Sequence, residues 1–139
     1  NKPFGSLRPD SWLVAAGRKY ATYRTWDAMR PGQKHSEIVG DSSGFSCYKI
    51  NPAKPVPTIA KFDGYVGTFG PMMWHEKRRP TVAEFKRFAS FPDDFHFVGT
   101  WKDAVQRIGN SVPPNFMRAI AEHIRDTILA PRDILNLSA

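Results

Sequence analysis

The spacing of apolar residues in the second half of the chain predicts a helix that begins near residue 81 and ends before Pro92. Thr81-Val82-Ala83-Glu84 has the form of a capping box, in which the threonine hydroxyl and the glutamate carboxylate each accept a hydrogen bond from a first-turn backbone amide. Lys86 and Arg87 are expected to face solvent, and Pro92 cannot continue the helix. The apolar face consists of four residues at helical spacing: Val82, Phe85, Phe88 and Ala89.

A second helix is predicted from the N-cap Thr100 to Ile108, with Asp103 near its positively polarised first turn. Gly109 is expected in the C-terminal capping position, where glycine adopts the left-handed conformation without strain. The loop after this helix then covers residues 110–112.

A third helix is predicted to begin at Pro113 and Pro114, because two consecutive prolines fit only the first turn of a helix. It continues to about Leu129, before Pro131. Its apolar side needs a packing partner, which is expected to lie partly outside this chain, and burial by self-association of the isolated chain is the alternative. That side contains six residues: Phe116, Met117, Ile120, Ala121, Ile124 and Ile128.

The first half of the chain has a different character. Residues 1–78 hold 8 of the 10 glycines, 7 of the 12 prolines and 11 of the 18 aromatic residues, which favours short strands and loops over long helices. Residues 11–16, 45–50 and 57–62 are candidate strands, and residues 25–29 are a candidate helical turn. We therefore expect an α+β chain: an irregular, β-rich lobe over residues 1–78, three helices over 79–130 and a tail over 131–139.

Composition indicates a folded protein that is cut from a longer one. A chain of 139 residues with 41% hydrophobic residues can bury a core, and no apolar stretch is long enough to span a bilayer. Its start, Asn1-Lys2-Pro3-Phe4, has neither an initiator methionine nor a signal-peptide pattern. Cys47, as the single cysteine, excludes an internal disulfide and fits a reducing compartment, so we expect a cytoplasmic protein.

The positive charge is concentrated in the first half. Residues 1–78 hold 12 Lys and Arg against 6 Asp and Glu, whereas residues 79–139 hold 8 against 7, so +6 of the net +7 lies in the first lobe. Such a surface is typical of proteins that neutralise phosphates of nucleic acid. A basic surface that only keeps the protein soluble fits the charge equally well.

Two ordered motifs lie in the second half of the chain. The first consists of Arg79, Thr81, Glu84, Arg87 and Phe91-Pro92-Asp93-Asp94-Phe95. The second is Gln106-Arg107-Ile108-Gly109-Asn110-Ser111-Val112-Pro113-Pro114-Asn115-Phe116. In this order they resemble the last two signature motifs of the DNA (cytosine-5) methyltransferases. The resemblance implies a fragment of a larger α/β S-adenosylmethionine-dependent methyltransferase fold.

The resemblance also implies the site residues. Asn110, Ser111 and Val112 would contact the methionine part of S-adenosylmethionine and close a pocket formed mainly by sequence absent here. Without that context, Asn110 and Ser111 would be read as helix caps. Residues 79–95 would be the helix and turn that connect a recognition lobe to the catalytic lobe, with Phe91 and Phe95 buried.

A stretch similar to the target-recognition region of the family lies at Lys54-Pro55-Val56-Pro57-Thr58-Ile59-Ala60. Residues 1–78 would then be a target-recognition lobe whose partner is double-stranded DNA. The candidate DNA contacts are Lys54, Thr58, Ile59, Lys61, Arg78 and Arg79, the lysines as phosphate contacts and the arginines as bidentate donors to bases.

The chain lacks the chemistry of the family it resembles. Those enzymes flip the cytosine out of the duplex, attack its carbon 6 with a cysteine from a Pro-Cys loop, and transfer the methyl group to carbon 5. Neither a Pro-Cys dipeptide nor the family's Glu-Asn-Val motif occurs here, and Cys47 in a strand-like run is expected to be a buried structural thiol. We therefore predict no catalytic residue in this chain and no activity for the chain alone; the absent N-terminal catalytic domain would be its partner.

Other polar and aromatic candidates have structural explanations. The four histidines lack the spacing of a metal site, so no metal is predicted. Asp93 and Asp94 follow a proline as turn residues do. Trp12, Trp26 and Trp74 are expected in the core rather than stacked on bases.

Two other functional readings stay open at the level of sequence. A non-catalytic DNA-binding or specificity module could act with a separately encoded catalytic chain. A structural interaction domain, in which the Asn-Ser loop only caps helices, would leave the ordered pair of motifs unexplained.

Overall fold

The computed structural model describes residues 25–40, 47–61 and 70–130. The predicted strand at 11–16, Trp12 and the tail at 131–139 lie outside these residues, as do parts of the strands predicted at 45–50 and 57–62. A 3-10 turn, Thr25–Asp27, falls in the predicted helical turn. The remaining elements in chain order are α1 (His35–Val39), β1 (Tyr48–Lys49), β2 (Pro71–Met72), α2 (Val82–Phe88), α3 (Trp101–Asn110) and α4 (Pro114–Ile124), which continues as a π-helix (Arg125–Leu129).

The described part of the first lobe is irregular, as predicted, but contains little strand. β1 and β2 pair in parallel, with Tyr48 opposite Pro71 and Lys49 opposite Met72, and Lys34 forms an antiparallel bridge with Tyr48. The predicted strand at 45–50 is therefore present at Tyr48–Lys49. The strand predicted at 57–62 is wrong for residues 57–61, which are not in a strand. Pro57 has no amide hydrogen to donate to a ladder, which opposes pairing there.

Helix α2 confirms the predicted capping box. The Glu84 amide donates to the Thr81 hydroxyl (3.2 Å), and the Thr81 amide donates to a Glu84 carboxylate oxygen (2.7 Å). The prediction that Lys86 faces solvent is wrong, since this residue is only 7% exposed. Its ammonium group donates to the backbone carbonyl of Asp93 (2.8 Å), because the chain after α2 turns back over it.

The largest core cluster of the described chain lies between α2 and α3, where the apolar face predicted for α2 packs. The Trp101 indole donates to the carbonyl of Pro80 (3.1 Å), which ties the start of α3 to the segment before α2. Ile59, Phe88 and Phe91 pack against this core from its edge. The buried members are Val82, Phe85, Ala89, Phe97, Trp101, Ala104, Val105 and Ile108.

The ends of α3 and α4 follow the prediction with one exception. Thr100 caps α3, with the Asp103 amide donating to its hydroxyl (3.2 Å), and Pro113 and Pro114 occupy the N-cap and first positions of α4. Gly109, however, is not a C-cap: α3 continues through it to Asn110 and is capped by Ser111 in an extended conformation. Among the described residues, no helix is both long and apolar enough to cross a bilayer.

Candidate functional site

The loop between α3 and α4 presents the three residues assigned to the cofactor. Asn110 ends α3 with an exposed side chain, and Val112 is 49% exposed. Ser111 turns inward, since its hydroxyl donates to the carbonyl of Ile108 (2.7 Å) and its amide donates to the same oxygen (3.1 Å). Ser111 is thus a helix cap, as the structural alternative expected, while Asn110 and Val112 face outward.

The donor set of this loop fits the polar end of an amino-acid-like ligand. Within residues 25–40, 47–61 and 70–130, the Asn110 side-chain amide makes no hydrogen bond, so both its donor and its acceptor are free for a ligand. Val112 adds an exposed apolar surface beside it. The Ser111 hydroxyl donates its hydrogen to the Ile108 carbonyl, but its oxygen can still accept a hydrogen bond.

Ser90 holds the far side of the same loop. The amide of Asn115, in the first turn of α4, donates to the Ser90 hydroxyl (3.1 Å). Ser90 has a φ of 60°, the only positive value at a non-glycine position among the described residues. Ser90 thus combines a strained backbone conformation with a contact to the start of α4. No spacing pattern in the sequence marks this residue.

The candidate DNA-contacting segment surrounds an open cleft of about 600 Å³. Lys54, Thr58 and Lys61 are exposed, and the first two line the cleft. Ile59, in contrast, is half-buried and packs against the α2–α3 core, so its side chain anchors the segment. Lys34 is a cleft residue that the sequence did not reveal, because its proximity depends on the bridge between Lys34 and Tyr48.

Gly109 explains why the segment can lie so close to α3. A methyl group built at Gly109 would be 2.6 Å from the carbonyl carbon of Ala60 and 2.6 Å from the amide nitrogen of Lys61. Both are backbone atoms, which cannot rotate aside. Glycine within a helix costs about 1 kcal/mol relative to alanine. The close approach of Ala60 and Lys61 explains why glycine is nevertheless required at this position.

The two arginines assigned to DNA bind partners inside the protein. Arg78 forms two parallel hydrogen bonds to the Glu84 carboxylate, each 2.8 Å long, and also pairs with Glu76. Arg79 is 8% exposed, with its guanidinium 5.7 Å from the ring centre of Trp101. A base contact by either residue would require these contacts to break, and their DNA role stays a prediction.

The Arg78–Glu84 pair alters the ionisation of both groups. Hydrogen bonds from Arg78 to Glu84 raise the pKa of the guanidinium despite partial burial. Burial opposes ionisation of Glu84, but the bonds from Arg78 and Thr81 outweigh it and lower the pKa of that carboxyl. The pair therefore stabilises the connection between the segment before α2 and the helix itself.

The phenylalanines of the first motif are only partly buried. Phe91 packs against the core edge, but Phe95 is 46% exposed, so the prediction that it is buried is wrong. Phe95 lies in the outer layer of a three-ring cluster, with its ring centre 5.1 Å from Phe91 and 5.0 Å from Phe97. Asp93 belongs to a surface turn, where Arg87 donates two hydrogen bonds to its carboxylate (3.1 and 3.0 Å).

Several of the remaining candidates that the structure describes have contacts inside the protein. Cys47 is 1% exposed, and His35 is buried with its Nδ1 bonded to the Thr25 hydroxyl (2.6 Å). The Trp26 indole donates to the carbonyl of Met73 (2.7 Å), and Trp74 packs on the core beside β1. Across the described ranges, no three His, Cys, Asp or Glu side chains converge as a metal site requires.

Residues 11–126 match the family model of the C-5 cytosine-specific DNA methylases, and the chain therefore belongs to this family. The matched range includes the loop at 110–112 and the segment at 54–61.

Curated relatives match over different parts of the chain. DNA (cytosine-5-)-methyltransferase M.ApeKI of Aeropyrum pernix is 27% identical over 135 residues, which cover 91% of this chain and 29% of the relative. Type II methyltransferase M.SacI of Streptomyces achromogenes is 29% identical over 156 residues, covering 91% and 38%. Type II methyltransferase M.AplI of Arthrospira platensis is 44% identical over 52 residues, covering 37% and 15%. The matched region is thus well under half of each relative, and no solved structure matches the chain.

Proposed function

We propose that this chain is the C-terminal, target-recognising part of a DNA (cytosine-5) methyltransferase, which transfers a methyl group from S-adenosylmethionine to carbon 5 of cytosine in duplex DNA. The observation that carries the proposal is the family match over residues 11–126. The names of the relatives support a role in a type II restriction-modification system.

The cofactor would meet this chain at the loop between α3 and α4. S-adenosylmethionine supplies the methyl group. The free amide of Asn110 can bond the polar groups of its methionine part, and Val112 can cover apolar atoms. Ser111 would act mainly by holding the loop to Ile108. The rest of the pocket would come from the catalytic domain.

Duplex DNA would meet the chain at the cleft. Lys54 and Lys61 are exposed ammonium groups suited to phosphates, and Thr58 offers a hydroxyl at the cleft wall. Ile59 would support this segment from below. Arg78 and Arg79 are weaker candidates than the sequence indicated, because Arg78 is held by Glu84 and Arg79 is buried.

The chain alone would not transfer methyl groups. Its single cysteine, Cys47, is 1% exposed, and a buried thiol cannot reach a cytosine ring. The nucleophile and most of the cofactor pocket would lie in the catalytic domain.

Asn110→Ala in the full-length protein tests the cofactor assignment. We expect weaker S-adenosylmethionine binding by about tenfold, which corresponds to one lost hydrogen bond, with little change in affinity for duplex DNA. Isothermal titration measures the first and fluorescence anisotropy the second. Asn115→Ala, the same change on the exposed first turn of α4, is the matched control. Equal losses for both ligands in the Asn110 variant would contradict the cofactor assignment.

The same measurements separate the proposal from a specificity module that acts with a separate catalytic chain. A full-length protein that binds duplex DNA but neither binds S-adenosylmethionine nor methylates cytosine would favour the module. The observation that favours this second candidate is the burial of Cys47, because a buried thiol cannot act as the nucleophile.

A further inference from the structure

One backbone contact joins the two candidate binding sites. On one side is Gly109, the residue directly before Asn110 in α3. On the other side are Ala60 and Lys61, which directly follow Thr58 and Ile59. The cofactor loop and the DNA-contacting segment are therefore each within two residues of the same contact.

The contact is specific for glycine for a steric reason alone. Gly109 lies in the regular part of α3, where every L-residue adopts the backbone conformation without strain. Only the space is lacking, because a Cβ would be 2.6 Å from Lys61 N and 2.7 Å from Ala60 O. The segment cannot yield by rotating a side chain, so it would have to move as backbone.

Ile59 fixes the segment in this position. Its side chain packs against the core formed by α2 and α3, which includes Ile108, the residue before Gly109. The segment is thus held by an apolar side chain and stopped by a backbone contact. Together these two features set its distance from α3.

We propose that Gly109 is a positioning residue that places the DNA-contacting segment and the cofactor loop relative to each other. The inference rests on the proposed function and deepens it, since it assigns a role to a motif glycine that touches neither ligand. Any side chain at position 109 would shift residues 58–61 and the start of the 110–112 loop apart. Both substrates would then bind in displaced positions.

The test uses the full-length protein, tritiated S-adenosylmethionine and unmethylated phage duplex DNA, with KM and kcat determined for each substrate. For Gly109→Ala, we expect the KM for S-adenosylmethionine and the KM for DNA to rise together, each by about tenfold. A purely structural role would lower the folded fraction and hence the apparent kcat, with both KM values unchanged.

Val105→Ala is the matched control, because it removes buried methyl groups from the same helix without adding an atom between α3 and the segment. It should lower stability and leave both KM values at the wild-type level. Ile59→Ala is the second test variant and decides the matter if Gly109→Ala does not fold. Loosening the same contact from the other side should also raise both KM values.

The outcomes are distinct for the two proposals. A wild-type protein that transfers no methyl group to cytosine overturns the proposed function, and this inference with it. An active wild type whose Gly109→Ala variant keeps both KM values within about twofold, or raises only one of them, overturns the positioning role alone.

Discussion

Glu84 shows how much one side chain can hold at the start of a helix. Its carboxylate accepts the Thr81 amide and hydroxyl and both terminal nitrogens of Arg78. The sequence predicted the capping box because that motif is local. The bond to Arg78 could not be predicted, since it depends on how the chain bends at Pro80 before α2 begins.

The pH dependence of stability should report on this carboxylate. Its pKa in the folded state is lower than the ordinary 4.5, so its stabilising contribution is complete above pH 4.5 and is lost as pH falls through the folded pKa. We expect the free energy of unfolding of the wild type to drop more steeply below pH 4.5 than that of Glu84→Gln. Urea unfolding at pH 7 and at a series of lower pH values measures this.

Glu122→Gln is the control for that comparison, since Glu122 is an exposed carboxylate on α4. Its curve should run parallel to that of the wild type. If the Glu84→Gln curve did so too, the carboxylate would contribute nothing that depends on its charge.

Two of the wrong residue predictions, those for Lys86 and Gly109, share one physical cause. Each was interpreted from the pattern of its own helix, but each contacts backbone that lies outside that helix. The Lys86 ammonium group donates to the Asp93 carbonyl, and Gly109 lies against the backbone of Ala60. A periodic pattern describes one helix and carries no information about which backbone lies over it.

At the level of elements, a hydrogen bond from the first turn of α4 reaches the segment that follows α2. The Asn115 amide donates to Ser90, and the residues that follow, through Ala130, are exposed. The proline pair predicted where α4 begins, since prolines act locally. The bond from Ser90 links residues 25 apart in sequence, so no local rule predicts it.

Ser90→Ala should loosen the first turn of α4. Loss of the hydroxyl leaves the Asn115 amide to water and should cost about 1 kcal/mol. Amide hydrogen exchange at Asn115 should become faster. Ser90→Gly loses the same bond but suits the φ of 60°, so it should be the more stable of the two variants by about 1 kcal/mol with equally fast exchange. Unchanged exchange at Asn115 in both variants would contradict the role of Ser90.

The strands were harder to predict than the helices. β1 and β2 contain two residues each, and their parallel pairing joins Tyr48 to Pro71, with residues 49–70 between them in the sequence. Neither length nor alternation gives a signal at that size. Helices α2 and α3 were predicted nearly to their ends, because capping residues and apolar spacing agree there.

At the scale of the whole molecule, the excess of positive charge lies in residues 1–78 of the sequence. Among the described residues, α4 exposes Phe116, Ile120 and Ile124 on its surface. Duplex DNA is the partner that we propose for the basic half. The catalytic domain is the partner that we propose for α4, and self-association of the isolated chain through α4 stays a prediction.

The isolated chain should bind duplex DNA weakly and in a salt-dependent way. We expect the affinity to fall between 50 and 200 mM salt, and Lys54→Ala or Lys61→Ala each to reduce the slope of log affinity against log salt by about 1. Fluorescence anisotropy measures both. Arg118→Ala, an exposed cation on α4, should leave the slope unchanged. No binding at the lowest salt would exclude a DNA-contacting role for this lobe by itself.

The packing of Ile59 against the core formed by α2 and α3 has a consequence for engineering proteins that recognise new DNA sequences. A graft of a foreign recognition segment would bring its own residue to a site shaped by α2 and α3, and its own backbone to the face at Gly109. A chimera joined at the loop ends would therefore pack poorly under the transplanted segment, because the α2 and α3 helices of the donor protein would be absent. Variant libraries confined to Lys54, Thr58 and Lys61, with Ile59 and Gly109 kept, would change the chemistry offered to DNA while preserving the seat on which it rests.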